Sequence, residues 1–112
     1  MKLSFSTHGE RSVAAVAGQV DAASAPTLIE ELTSRIADGA TQLVLDLSGL
    51  DYSSSAGLRA LLTAVKQARA AGGDVRLAGV QDRVARILEM SGFSAIIRSY
   101  PSVDDALGSF EA

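Results

Sequence analysis

At 112 residues, with a formal net charge of −3 and an isoelectric point near 5.0, the chain fits one compact domain with a single core. The acidic balance, with Lys and Arg scattered along the sequence, argues against nucleic-acid binding, whose affinity rests on clustered basic residues. With no cysteine and a single histidine, His8, the chain offers neither a disulfide frame nor a cysteine or histidine metal site, so no metal and no cofactor is expected.

The chain opens on Lys2 to Ser6, where Leu3 and Phe5 alternate with polar residues, followed by a Gly9-Glu10 turn and the apolar run Val13 to Val20. This pattern predicts a β-hairpin. After Gly18-Gln19-Val20-Asp21, Ser24 and Pro26 predict an N-cap with proline in the first turn. The helix they open carries Leu28, Leu32 and Ile36 at four-residue spacing, turns Glu30, Glu31 and Arg35 outward, and stops near Asp38-Gly39. Leu43 to Leu47, broken only by Asp46, reads as a strand buried on both faces in a parallel sheet, and Ser48-Gly49 opens a loop.

A helix is predicted from about Ser55 to Ala71 on Leu58, Leu61, Leu62 and Val65, with Gly72-Gly73 ending it as a left-handed cap. Asp74 to Ala78 is a short strand. Gln81 to Met90 has Val84, Ile87 and Leu88 at helical spacing, and Ser91-Gly92 stops it. Ala95 to Arg98 is a brief last strand, and Ser102 caps a final helix with Val103, Ala106, Leu107 and Phe110 on one face. The order β-β-α-β-α-β-α-β-α predicts an α/β domain over residues 1–112. Its mixed sheet has an antiparallel N-terminal hairpin and parallel strands joined by right-handed crossovers, packed with about four helices.

Chemistry concentrates in Ser53-Ser54-Ser55-Ala56-Gly57, three hydroxyls at a strand-to-helix junction where backbone N–H groups are unsatisfied and the helix dipole is positive. Serine at such a place is ordinarily an N-cap; Ser54 is the better cap candidate and Ser55 the better acceptor for an oxyanion-bearing group. Gly57 either admits an approaching partner loop or allows close helix-to-sheet packing, the use expected of Ala56, Ala60 and Ala64. Asp21 reads as a turn or capping residue, and Asp46 as a structural hydrogen-bonding group at a strand end. A serine hydrolase is excluded: the only histidine precedes the serines, leaving no candidate base of the required kind, and the chain is not expected to be an enzyme.

These residues resemble a known family. Gly18-Gln19-Val20-Asp21, the strand with Asp46, Tyr52-Ser53-Ser54-Ser55-Ala56-Gly57-Leu58 and Met90-Ser91-Gly92-Phe93 are similar, over almost the whole chain, to bacterial anti-sigma factor antagonists of the STAS domain class. The central motif there is Asp-Ser-Ser/Thr-Gly-Leu. Ser54 falls on the acidic residue, Ser55 on the phosphorylated serine, Ala56 on the second hydroxyl residue, and Gly57-Leu58 match directly.

The resemblance implies a partner switch. The unphosphorylated protein binds an anti-sigma factor that is a GHKL-type serine kinase, phosphorylation of Ser55 (Ser54 as second choice) undoes the complex, and a PP2C-type phosphatase resets it. The implied partner surface takes in Asp21, Ser53, Ser54, Ala56, Gly57, Leu58, Arg59 and Lys66. Arg59 stands four residues after Ser55 and is expected to pair with its phosphate, while Lys66 and Arg69 add to a basic helix suited to an acidic partner. The alternative is a non-switching STAS module inside a larger assembly, such as a lipid transporter subunit or a stress-signalling scaffold. No apolar segment is long enough to span a bilayer and Met1 to Glu10 lacks a signal peptide's apolar region, so a cytoplasmic protein, free of membrane and monomeric when unbound, is expected.

Overall fold

The computed structural model describes residues 1–111. The elements run β1 (Lys2–His8), β2 (Arg11–Val20), α1 (Ala25–Ala37), β3 (Gln42–Asp46), β4 (Leu50–Ser53), α2 (Ser55–Ala70), β5 (Asp74–Ala78), α3 (Asp82–Met90), β6 (Ser99–Tyr100) and α4 (Val103–Gly108). β1 and β2 form the expected antiparallel hairpin, with Lys2 opposite Ala17 and His8 opposite Arg11. β3 lies parallel to β2 from Ser12↔Leu43 to Ala15↔Asp46, β5 parallel to β3, and β6 parallel to β5. The sheet order is β1-β2-β3-β5-β6.

Two of the expected strand boundaries need correction. The segment after Ser48-Gly49 is not all loop: residues 50–53 form β4, which rejoins β2 near its C-terminal end, parallel, pairing Tyr52 with Gln19 and Ser53 with Val20 past an irregularity at Gly18/Gln19. Four residues with Leu50 as their only aliphatic side chain carry no strand periodicity of their own; the unpaired backbone of β2 supplies the reason to extend. The last strand lies at Ser99–Tyr100, not Ala95 to Arg98, because residues 93–95 wind into one 3-10 turn and Ile97 drops into the core. Only then does the chain reach the free edge of β5.

Both faces of the sheet are covered, as the run through β3 requires. On one face Leu43, Leu45 and Leu77 meet Leu28, Leu32 and Ile36 of α1 and Leu58, Leu61 and Val65 of α2. Ala60, Ala64 and Ala68 are fully buried, so α2 sits close, whereas Leu62 lies half-buried at the edge of this layer. On the other face Val13, Val44 and Ala78 are covered by Ala106, with Tyr100, Val103, Leu107 and Phe110 around it.

The helix ends follow local rules. Gly72, at φ +87°, terminates α2, with its N–H on the Arg69 carbonyl and the Gly73 N–H on the Ala68 carbonyl. Ser102 Oγ accepts the Asp105 N–H and caps α4. At α1 the expected cap is displaced: Ser24 is itself helical, and the Asp21 carboxylate accepts the N–H groups of Ala23 and Ser24. No helix among the described residues is long and apolar enough to cross a membrane.

Candidate functional site

The three consecutive serines fall into three different environments. Ser53 closes β4 and is only 3% exposed; its hydroxyl donates to the Ser54 carbonyl at 3.1 Å. Ser54 is extended at φ −76°, ψ 172°, and its Oγ accepts the Gly57 N–H at 3.3 Å, making it the N-cap of α2. Ser55 is the first residue of α2 and is exposed to solvent. Pairing with Val20 and the close approach of Gly57 bury Ser53, and the sharp entry into α2 then leaves Ser55 on the surface at the positive end of a sixteen-residue helix.

Gly57 packs against the sheet. A Cβ there would run into Ser53 Oγ and lie 2.8 Å from Val20 Cγ1, so the close-packing explanation accounts for the glycine. Gly57 and Leu58 are buried and Ala56 half-buried. Ser53, Gly57 and Leu58 lie beneath the site, and Ala56 stays partly exposed at its edge.

Asp21 is brought beside the serines by the sheet. Ser54 N–H donates to the Val20 carbonyl at 2.8 Å, which places the loop beginning at Asp21 next to the start of α2. The Asp21 carboxylate is exposed and held below the usual carboxylate range, first by the backbone N–H of Ser24 and then by the Ser24 hydroxyl. Arg59 and Lys66 are exposed on α2. Arg69 is not a free surface charge: its Nε donates to Asp74 Oδ1 at 2.9 Å and its Nη2 to the Ile96 carbonyl at 2.7 Å, so it ties α2 to β5 and to the segment before β6.

The surface also contains two residues, Gln19 and Tyr52, that belong to the family pattern but carry no assigned role in the sequence. Gln19 lines two adjoining open clefts, one of about 480 Å³ with Asp21, Ser24 and Thr27, the other of about 750 Å³ with Asp51, Gln81, Asp82 and Arg83. Tyr52 is 42% exposed directly before the serines. The low aromatic content was the available signal for Tyr52, but only the β4 pairing shows that it points outward. Asp46, by contrast, does what its strand-end position suggests and accepts the Ser48 N–H at 3.1 Å.

A protein-family model described as STAS domain matches residues 3–106. The chain belongs to the STAS domain family. BtrV of Bordetella bronchiseptica, named as a candidate anti-sigma factor antagonist, is 36% identical over 111 residues, covering 99% of this STAS domain and 96% of that protein. The anti-sigma-F factor antagonist RsfA of Mycobacterium tuberculosis is 28% identical, with 96% of this chain and 85% of that one covered. The crystal structure of an anti-sigma factor antagonist from Mycobacterium paratuberculosis superposes with a TM-score of 0.89 at 26% identity, covering 99% and 94% of the two chains.

Proposed function

We propose that this STAS domain is an anti-sigma factor antagonist: it binds an anti-sigma factor through the surface formed by the Asp21 loop and the start of α2, and phosphorylation of Ser55 releases it. In this reading the anti-sigma factor is itself a GHKL-type serine kinase, a PP2C-type phosphatase restores the binding form, and the domain performs no catalysis. The relatives named as antagonists support the binding role.

The observation that carries the switch is the division of labour among the serines. Ser53 is buried and Ser54 is committed to the cap, so Ser55 is the hydroxyl left open to a kinase. A phosphate there brings about −1.5 to −2 charge. At an exposed helix N-terminus the domain itself gains roughly 0.3–1 kcal/mol from an anion, so the fold persists. The cost falls on the complex, where the dianion meets an acidic or apolar partner surface; a loss of about 4 kcal/mol weakens binding roughly a thousandfold.

The test is to capture the partner kinase from lysate, purify it, incubate it with the domain and ATP, and map the phosphate by mass spectrometry. Ser55→Ala is expected to bind constitutively and Ser55→Glu weakly. Equal affinity of the two variants for the kinase would overturn the switch. A transporter ATPase or scaffold as the captured partner, with no phosphate transferred, would point instead to a non-switching module of a larger assembly.

A further inference from the structure

We propose that two copies of this domain pair through their first strands, β1 adding antiparallel to β1 about a two-fold axis at Phe5, so that one sheet runs through both; this goes beyond the antagonist function and does not depend on it. β1 and β6 end the sheet. The β6 end is protected, because that strand is only Ser99–Tyr100 and Pro101 follows it. The β1 end is open. All seven residues from Lys2 to His8 pair with β2 in unbroken register, without a bulge, and residues 3–7 carry neither charge nor proline. Such an edge is a template for another strand, and among the described residues nothing but β2 pairs with it.

Alternation decides which backbone groups face outward. The Gly18 N–H donates to the Gly49 carbonyl, so Gly18 faces away from β1, and with it Val16, Ala14 and Ser12. The two-residue turn at Gly9-Glu10, with Gly9 at φ +66°, agrees: it closes on His8 opposite Arg11 as a hydrogen-bonded pair, which sets the odd-numbered residues of β2 toward β1. The residues opposite Val16, Ala14 and Ser12 are Leu3, Phe5 and Thr7, and these direct their N–H and C=O groups to the open edge. A two-fold axis at Phe5 sets Phe5 opposite Phe5 and Leu3 opposite Thr7 of the other copy, and every outward group then has a partner. A slip of one residue sets outward groups against inward ones, and a slip of two leaves Leu3 or Thr7 without a strand residue to pair. This self-complementarity selects a second copy of the chain as the occupant.

The side chains fit the same register. Leu3 and Phe5 are half-buried against the main core, and the Arg35 guanidinium lies 4.0 Å from the Phe5 ring centre. Pairing brings the two Phe5 rings together as a cross-strand aromatic pair. It also stands Leu3 of the other copy opposite Thr7, beside an open cleft of about 580 Å³ lined by Thr7, Ser12, Arg35 and Asp38. On the other face Ser4 meets Ser6, and Lys2 is carried to the turn that holds Glu10, an opposite charge. The second strand runs the other way, so the Asp21 and Ser55 ends of the two copies lie at opposite ends of the joined sheet, each open to its own partner.

Sedimentation of the purified domain from about 10 µM to about 1 mM, the range suited to a small interface, is the test. A reversible dimer is expected, with amide exchange at Leu3, Phe5 and Thr7 slowing as concentration rises while Ser4 and Ser6, already bonded to β2, stay unchanged. The exposed double variants Ser4→Lys/Ser6→Lys and Ser4→Glu/Ser6→Glu are each expected to raise the dimer dissociation constant about tenfold or more, and their equimolar mixture to restore pairing. Thr7→Pro, which removes one outward N–H at an edge position, is expected to act in the same direction; if it fails to fold, the double variants decide. A parent that stays monomeric to about 1 mM overturns the proposal, and so does a dimer indifferent to both double variants. A monomeric parent whose Leu3, Phe5 and Thr7 amides slow only when the captured anti-sigma kinase is added assigns the edge to a strand of that partner and overturns the pairing of copies.

Discussion

Ser54 and Val20 are joined by a 2.8 Å hydrogen bond from the Ser54 N–H to the Val20 carbonyl, and this one bond sets the serine loop beside the loop that begins at Asp21. Beneath it, Gly57 packs on Val20 and Ser53. Gly57→Ala gains up to about 1 kcal/mol of helix propensity but forces a methyl into space already filled, a cost of about 1–3 kcal/mol. A net loss on the order of 1–2 kcal/mol in urea denaturation is expected; a variant more stable than the parent would contradict the packing.

The serines separate by stability as well as by chemistry. Ser54→Ala removes the cap of α2 and is expected to cost about 1 kcal/mol, while Ser54→Asp keeps an acceptor and loses little. Ser55→Ala is expected within about 0.5 kcal/mol of the parent, since its side chain is exposed. Thermal unfolding of the three variants checks this, and a large loss in Ser55→Ala would mean that Ser55 holds the fold.

Lys66 and Arg69 were paired in sequence as interchangeable charges for a partner, and the structure parts them. Arg69→Glu loses two hydrogen bonds and sets a carboxylate against Asp74; with Arg69 on the surface, the expected destabilisation is on the order of 1–2 kcal/mol. Lys66→Glu is expected to leave stability within about 0.5 kcal/mol and to slow association with the proposed anti-sigma partner, measured by stopped-flow at low and high salt. Equal stability of the two reversals would show that the Arg69 contacts carry no weight.

Asp21 predicts a pH dependence with a definite sign. Its carboxyl is held below its unfolded value by the Ser24 N–H and hydroxyl, so its contribution is present above the usual carboxylate pKa of about 3.9 and is lost as pH falls through the lower folded value. Asp21→Asn removes this part of the titration. Urea midpoints measured from pH 6 downward are expected to fall more steeply in the parent than in the variant; parallel curves would refute the linkage.

The far end of the domain depends on Arg76. Its Nη1 donates to Ser109 Oγ at 2.7 Å, its Nε pairs with Asp74 at 3.3 Å, and its guanidinium lies 4.1 Å from the Phe110 ring centre. Arg76→Lys cannot reproduce the planar stack and fork. Faster amide hydrogen exchange confined to α4 is the expected result, and uniform protection would show that the helix is held by its apolar face alone.

The sequence by itself determined the elements whose cause is local. Leu28, Leu32 and Ile36 at helical spacing, the Gly72-Gly73 stop, the Ser102 cap and the apolar run through Leu43 to Leu47 each carry their reason within a few residues, and the structure bears them out. Tertiary structure alone decided the rest. β4 exists because β2 has backbone left to pair, and β6 shifts past Arg98 because Ile97 finds room in the core. Three adjacent serines look alike as a string; packing against Val20 and Gly57 buries one, the helix entry spends one as a cap, and the third is left in water. Hydrogen-bond partners and core space come from residues distant in the chain, which is why Arg69 reads as a surface charge until Asp74 and Ile96 are placed beside it.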